Sequence, residues 1–348
     1  MLNKGYSLSA KMLHRIALGS RIVAEASFDL EQALNKVDPE GMNETPVFVS
    51  GLARAGTTIL MRSLYETNQF RSLTYRDMPF VLMPATWAKL SSNFQRDMHP
   101  MERAHGDSIV IDYDSPEAFE EVFWRVFYGQ QYIGAEYLER HVLNDQACKQ
   151  FKLYVAAVIG STKPTDGLRY LSKNNNNLLR LPGIKRSFPE SIIIIPFREP
   201  VQHALSLYRQ HKNFVSIQSD DKFSLKYMNW LGHHEFGLNH KPFIFSDDQI
   251  PKTVISQRSI EYWLTQWVNA YNYTLEHAPV GTVFLSYEDL CLNPAETLAR
   301  LMAMLNIPYK ASISNSITQP ENHTAVDIDE KILAASLTTY HRLLATKF

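Results

Sequence analysis

One segment near the amino end restricts the fold more than any other. Residues 46–50 read Pro-Val-Phe-Val-Ser, a short apolar run typical of a buried strand. Gly51 and Gly56 follow with four residues between them, and a helical pattern begins at Thr57. A strand that passes through a glycine turn into a helix directs backbone N–H groups and the positive end of the helix dipole at one point. The segment therefore predicts an α/β sheet with an anion site at its edge.

The cation of this loop differs from that of a nucleoside triphosphatase. A P-loop NTPase places Lys directly after the second glycine, where it reaches the β- and γ-phosphates. Thr57 occupies that position here, and the nearest cation is Arg54 inside the loop. The sequence thus favours an anion other than a nucleoside triphosphate. A P-loop nucleotide-dependent kinase or NTPase is the alternative.

The stretch from Pro46 to Thr58 resembles the 5′-phosphosulfate loop of the sulfotransferase family, whose first loop cation is Lys or Arg. Members of that family take 3′-phosphoadenosine 5′-phosphosulfate (PAPS) as co-substrate and release adenosine 3′,5′-bisphosphate (PAP). The resemblance therefore implies an enzyme, a PAPS-dependent sulfotransferase. It assigns contact with the 5′ end of the donor to Arg54, Ala55, Gly56, Thr57 and Thr58.

A second motif is required for the 3′-phosphate, and residues 192–206 contain one. The apolar run Ile192 to Phe197 is followed at once by Arg198, and Pro200 suits the first turn of a helix. Ser206 stands eight residues after Arg198. This pattern resembles the family's 3′-phosphate motif, in which an Arg and a Ser at that spacing hold the phosphate. Arg suits the task because its planar guanidinium can bind two phosphate oxygens at once.

Two further segments resemble the family. Residues 284–290 contain its Tyr-Glu-Asp-Leu sequence, whose role we interpret as structural. Residues 171–174 resemble its central Lys segment, although the proline often found shortly after that lysine is missing. Lys173 is therefore a second candidate cation, placed to bridge the sulfate and the leaving group. The resemblance runs in order from residue 46 to about residue 305.

Sulfuryl transfer explains why these residue types are needed. A hydroxyl oxygen attacks sulfur in line while the bond to the 5′-phosphate oxygen breaks, so negative charge grows on the departing bisphosphate, where Arg54 would stabilise it. The acceptor hydroxyl also needs a general base. Asp77, roughly twenty residues past the loop cation, is the first candidate, and His105 is the second because imidazole titrates near neutral pH. Asp77 could instead pair with Arg76 or cap a helix.

The order of predicted elements indicates the fold class. Strand candidates at 47–50, 109–113, 168–171, 192–197 and 282–286 alternate with helical stretches, which predicts a three-layer α/β fold with a central, mainly parallel sheet, similar to P-loop NTPases. Ligands of such sheets bind beyond the carboxyl ends of the strands. We expect one sulfotransferase domain over residues 1–348. Its irregular parts would be a helical extension at 1–40 and helical insertions at 78–105 and 214–256 that shape the acceptor site.

Several faces and side chains within these elements can also be predicted. The apolar face of the extension is expected to contain Met12, Leu13, Ile16, Ile22, Val23 and Leu30. The acids that follow Ser115-Pro116 are interpreted as first-turn residues complementing a helix dipole, namely Glu117, Glu120 and Glu121. The two cysteines, Cys148 and Cys291, are expected to be buried free thiols.

Charge and composition restrict the partners. A net charge of -1 gives no bulk attraction to nucleic acid or to an anionic membrane, so a small charged ligand is favoured. Apolar runs are far shorter than the roughly 18 residues of a membrane span, which favours a cytoplasmic protein without a span. No His, Cys or carboxylate spacing indicates a metal site, and no metal is expected.

The acceptor is predicted as a class only. A small-molecule or carbohydrate hydroxyl fits, and we favour carbohydrate because the loop with Arg54 and two threonines looks closer to the carbohydrate- and tyrosine-sulfating branches. Aromatic side chains in the two insertions would stack on sugar faces. A non-catalytic relative that only binds adenosine bisphosphate is a further alternative. The oligomeric state is left open.

Overall fold

The structure of the protein, a computed structural model, describes residues 7–35, 37–39, 45–92, 101–102, 110–162, 167–246, 249, 256–317 and 326–348. Its central strands are β1 (Val47–Val49), β2 (Phe70–Arg71), β3 (Arg169–Lys173), β4 (Ile192–Phe197) and β5 (Val283–Ser286). They form a five-stranded sheet in the order β2-β3-β1-β4-β5, and every neighbouring pair is parallel. All five strands therefore end at the same edge.

Helices connect and cover these strands. They are α1 (Leu8–Gly19), α2 (Arg21–Asn35), α3 (Thr57–Tyr65), α4 (Pro84–Ser91), α5 (Glu121–Tyr132), α6 (Asp145–Gly160), α7 (Leu181–Ser187), α8 (Pro200–Asp220), α9 (Lys222–Leu231), α10 (Ile260–His277), α11 (Tyr287–Leu292), α12 (Pro294–Met304) and α13 (Glu330–Thr346). Short 3₁₀ turns occur at Tyr75–Asp77, Asn175–Leu179 and Ala311–Ser316. Outside the central sheet, Met101–Glu102 pairs antiparallel with Val110–Ile111, and Leu138–Glu139 pairs parallel with Phe243–Ile244.

Alternate residues of the inner strands enter two different cores. Phe48 and Ile193 belong to a large aromatic cluster with α5, α6 and α10, whereas Val49 and Ile194 pack with α3 and α12. Burial on both faces explains why β4 is an almost continuous apolar run. The predicted three-layer α/β fold with a parallel sheet is confirmed.

Four of the five strand predictions correspond to strands of the central sheet. The candidates at 47–50, 168–171, 192–197 and 282–286 correspond to β1, β3, β4 and β5. The candidate at 109–113 contains the strand Val110–Ile111, but this strand lies outside the central sheet. β2 was not predicted, because two residues carry no measurable alternation.

The predicted apolar face of the N-terminal extension was wrong. Met12 and Ile22 are 65% and 79% exposed, whereas His14, Leu18 and Phe28 are buried. The pattern had two apolar stripes, and periodicity alone does not say which one contacts the core. The extension is also two helices, because the chain turns at Ser20 between α1 and α2.

The large apolar side chains in the described parts of the two insertions divide between core and half-buried positions. Met78, Met83, Phe214 and Tyr227 are buried, while Phe80 and Trp87 remain half-buried with ring centroids 5.0 Å apart. Cys148 and Cys291 are buried free thiols, as expected. In the part of the chain that the structure describes, no helix is long and apolar enough to span a bilayer.

Candidate functional site

The loop after β1 lies at the common carboxyl edge of the sheet. Val49 is in register with Lys173 of β3 and Ile194 of β4, and β4 then continues beside β5 until Phe197 pairs with Ser286. The chain segments that leave β1, β3, β4 and β5 therefore converge. They begin with Ser50, Asn174, Arg198 and Tyr287.

The two glycines of the loop have different physical roles. The N–H of Ser50 donates to the carbonyl of Ile194 at 2.9 Å, and a Cβ on Gly51 would lie 3.1 Å from the Pro196 oxygen. Gly51 thus lets the loop cross the end of β4. Gly56 caps α3 with φ at 88°, a left-handed conformation that favours glycine. The first N–H groups of α3 have no partner within the helix, which is the basis of an anion site.

Tyr287, the first residue after β5, lies against both halves of the predicted site. A Cβ on Gly56 would come within 2.6 Å of Cδ2 of Tyr287, so the ring occupies the space that the missing side chain leaves. The guanidinium carbon of Arg198 lies 4.8 Å from the centroid of the same ring. The loop and the strand-end arginine therefore share one aromatic surface.

Arg198 is buried, with 6% of its surface exposed. Its Nε is buried and has no hydrogen-bond partner among the described residues. The backbone beside it is fixed, because the N–H of Glu199 donates to Oε1 of Glu288 at 2.9 Å. A buried guanidinium with an unused donor has a strong preference for an anionic partner.

The structure brings together the residues predicted to bind the 5′ end of the donor and those predicted to bind its 3′-phosphate. Nε of Arg54 donates to Oγ of Ser206 at 3.2 Å, which joins the loop to the first half of α8. Arg54 has φ at 72°, uncommon for a residue with a side chain. Ala55, Thr57 and Thr58 are buried at the start of α3. All six donor-contact candidates thus lie within one region with Arg198.

Arg54 and Arg198 bring positive charge to the same part of this region. The pKa of His203 is lowered to about 3, mainly by burial, and the charges of Arg198 and Arg54 lower it further. Burial raises the pKa of Tyr287 to about 12, while the same two arginines oppose that rise. Arg54 and Arg198 therefore act on the same two neighbours and form one cationic site.

Lys173, the last residue of β3, lies beside the loop through its register with Val49. Asn174 continues this edge, and its N–H donates to the Val49 carbonyl at 3.1 Å. The side-chain amide of Asn174 donates to Glu121 at 2.7 Å and to Glu120 at 3.2 Å. A buried polar network thus supports the backbone that follows Lys173.

The structure confirms the interpretation of residues 117–121 for one acid and corrects it for two. Glu121 is a first-turn acid of α5, whereas Glu120 is the N-cap residue and Glu117 precedes the helix. All three are buried. Glu121 forms a buried ion pair with Arg180 at 2.8 Å. The pKa of Glu121 is lowered: burial raises it, but the charge and hydrogen bonds of Arg180 prevail. No local pattern indicates this pairing, because Glu121 and Arg180 are far apart in the chain.

Asp77 is placed as a structural carboxylate. It pairs with Arg71 through two contacts of 2.7 and 2.9 Å, and its Oδ2 also accepts the N–H of Thr74 at 2.7 Å. It caps the 3₁₀ turn Tyr75–Asp77, and Arg76 pairs with Asp114 instead. Asp77 could act as a base only if the pair with Arg71 opened. His105, the other predicted base, lies outside the described residues.

Within the described ranges, no group of three or more His, Cys, Asp or Glu side chains could hold a metal ion. His203, which the sequence did not single out, contacts the loop through its bond to the Ala53 carbonyl. It has no local pattern that would separate it from an ordinary core residue. Tyr287 contacts the loop from the end of β5, one of the strand ends at which ligands of such sheets bind.

Comparisons with solved structures agree with this fold. The crystal structure of sulfotransferase STF9 from Mycobacterium avium has a TM-score of 0.54 and 14% identity, covering 96% of this chain and 83% of that chain. That of STF1 from Mycobacterium tuberculosis H37Rv has a TM-score of 0.45 and 12% identity, covering 98% of this chain and 87% of that chain. At 14% identity, the similarity to STF9 establishes the fold alone. The TM-score of 0.45 for STF1 is too low to support a further conclusion.

The sequence itself establishes more than the fold. No curated protein matches it. Residues 46–240, more than half of the chain, match the profile described as the Sulfotransferase family. This range contains the loop, Lys173, Arg198 and Ser206. The chain therefore belongs to the sulfotransferase family.

Proposed function

We propose that the protein transfers the sulfuryl group of PAPS to an acceptor hydroxyl. The observation that carries this proposal is Arg198, a buried guanidinium whose Nε has no hydrogen-bond partner among the described residues. It stacks on Tyr287, which also lies against Gly56 of the loop. Two anion sites on one aromatic ring fit a nucleotide with phosphates on both its 3′ and 5′ oxygens.

The residues present suit this donor. Backbone N–H groups from Gly56 to Thr58 would hold the 5′-phosphosulfate, and Arg198 with Ser206 would hold the 3′-phosphate. The donor supplies an activated sulfuryl group. Arg54, with Lys173 from the neighbouring strand end, would stabilise negative charge on the leaving oxygen, typically one of the largest contributions to catalysis. In our proposal, Asp77 is the base that removes the acceptor proton. It can do so only after its ion pair with Arg71 opens.

A carbohydrate hydroxyl is the acceptor class that we favour. Phe80 and Trp87 are half-buried and pair at 5.0 Å, so they offer aromatic surface on the segment after β2. The indole N–H of Trp87 donates to the backbone carbonyl of Met78 at 2.8 Å, which fixes this ring. Rigid, partly exposed rings are suited to stacking on sugar faces.

Thermal denaturation with added nucleotides tests the donor. PAP without Mg²⁺ should raise the melting temperature, whereas adenosine 5′-monophosphate (AMP) should raise it less at equal concentration. A rise only with ATP and Mg²⁺ would instead support the kinase or NTPase alternative. A panel of sugars, phenols and peptides with sulfur-labelled PAPS then identifies the acceptor. Binding of PAP without turnover on any acceptor would favour the non-catalytic alternative.

A further inference from the structure

His203 is a fully buried histidine inside the cationic site. It is 0% exposed and lies three residues before Ser206, so both side chains occupy neighbouring positions on α8. Neither phosphate binding nor proton transfer in the proposed reaction uses it. A buried ionisable side chain in such a place is costly unless its hydrogen bonds are satisfied.

Two hydrogen bonds define the proton position of the His203 ring. The indole Nε1 of Trp267 lies 3.1 Å from Nδ1, and an indole N–H can only donate, so Nδ1 must accept. In a neutral ring the proton then sits on Nε2. Nε2 lies 2.8 Å from the carbonyl oxygen of Ala53, to which it donates. Burial, together with the charges of Arg198 and Arg54, lowers the pKa of His203 to about 3 and keeps the ring neutral.

These contacts lie next to Arg54, the loop residue with a positive φ. The Ala53 carbonyl belongs to the peptide unit that precedes Arg54, so a bond to this oxygen fixes the plane from which φ of Arg54 is measured. That φ is 72°, in the left-handed region that is unfavourable for a residue with a side chain. On the other side, Nε of Arg54 donates to Ser206. Helix α8 therefore holds both the backbone and the guanidinium of Arg54.

We propose that His203, in its Nε2–H form set by Trp267, is a positioning residue that holds the Ala53–Arg54 peptide so that Arg54 faces the donor. The proposal rests on the proposed function for the role of Arg54. The orientation of the loop is a property of the free protein and can be tested without a nucleotide.

The first test measures loop protection in the free protein by hydrogen exchange and mass spectrometry. His203→Leu and Trp267→Phe should increase exchange in the peptide that contains residues 51–56. His203→Gln, which keeps an N–H donor at the ε position, should stay close to wild type. His141→Gln is the matched control, because His141 is also buried with its pKa lowered to about 3. Unchanged exchange at 51–56 in His203→Leu would overturn the proposal.

The second test asks whether His203 acts through Arg54. Calorimetry with PAP should give about tenfold weaker binding for His203→Leu, the effect of one lost hydrogen bond of ordinary strength. The double variant with Arg54→Ala should bind no more weakly than Arg54→Ala alone, because the interaction is shared. If the losses of PAP affinity in His203→Leu and Arg54→Ala add up in the double variant, His203 has a general structural role. Equal losses of affinity in His203→Gln and His203→Leu would lead to the same conclusion.

A third measurement reads the tautomer directly. Two-dimensional ¹⁵N–¹H spectra of the imidazole nitrogens distinguish a protonated Nε2 from a protonated Nδ1. The wild type should carry its proton on Nε2, and a proton on Nδ1 would refute the assignment. If the wild type fails to bind PAP, the proposed function fails, while the exchange and tautomer results still decide the role of His203 in the loop.

Discussion

Replacement of Arg198 by Ala tests the predicted 3′-phosphate site. Arg198 is 6% exposed, stacks on Tyr287 at 4.8 Å, and has an Nε without a partner among the described residues. Binding a phosphate therefore breaks no existing bond at that nitrogen. A hydrogen bond to a charged group contributes about 1.5–3 kcal/mol, so two such bonds contribute at least about 3 kcal/mol. This corresponds to a dissociation constant about 150-fold higher for the variant.

The comparison of two ligands isolates this effect. Calorimetry should give the full loss for PAP, whereas AMP, which lacks the 3′-phosphate, should bind wild type and Arg198→Ala with nearly equal affinity. Arg198→Lys should give an intermediate loss, because an ammonium keeps the charge but not the planar fork. Arg300→Ala is the matched control: Arg300 also stacks on an aromatic ring, Phe348 at 4.9 Å, with no predicted role in binding. Equal losses for PAP and AMP, or no loss for PAP, would refute the reasoning.

Three further changes have defined outcomes. Gly56→Ala should weaken PAP binding at least tenfold by calorimetry, since its φ of 88° strains alanine and the added carbon would meet Tyr287 at 2.6 Å. Asp77→Asn should lower the free energy of unfolding in urea by about 3 kcal/mol, because it leaves Arg71 buried and unpaired. Stability should fall between pH 6.5 and pH 5. Burial lowers the pKa of His141 to about 3 in the folded state, below its unfolded value. Its contribution to stability is therefore present above pH 6.5 and is lost on acidification by up to about 1.4 kcal/mol per pH unit.

A specific result would contradict each of these three predictions. Wild-type PAP affinity in Gly56→Ala would mean that Tyr287 does not limit the loop. Asp77→Asn with normal stability and PAP binding but no turnover would support Asp77 as the base and contradict the stabilising role of its pair with Arg71. For the acid effect, His141→Gln should reduce the pH dependence of unfolding, and an unchanged slope would contradict the assignment to that histidine.

The sequence predicted the parts of the site that are local in the chain. The loop and the Arg198 motif each combine a buried strand with residues at a fixed distance after it, and parallel strands place such residues at one edge. Gly56 and Arg54 were recognisable for the same reason. The convergence of the loop with Arg198 followed from topology rather than from a side-chain contact.

What the sequence did not predict depends on contacts between distant segments. The buried bonds of Asn174 with Glu120 and Glu121 join positions more than fifty residues apart, and no spacing rule connects them. His203 resembles an ordinary helix residue until its bond to Ala53 is seen. The prediction for the N-terminal helices failed for a different reason. Their pattern offered two apolar stripes, and only packing decides which stripe is buried.

A crystal structure of the protein with PAP would show whether one nucleotide occupies both phosphate sites. We predict that the 5′-phosphate lies on the N–H groups of residues 56–58 and that an oxygen of the 3′-phosphate lies within about 3 Å of Arg198 and Ser206. Arg54 should face the 5′ end of the same molecule. A nucleotide bound elsewhere, or bound with its 3′-phosphate away from Arg198, would contradict the proposed donor site.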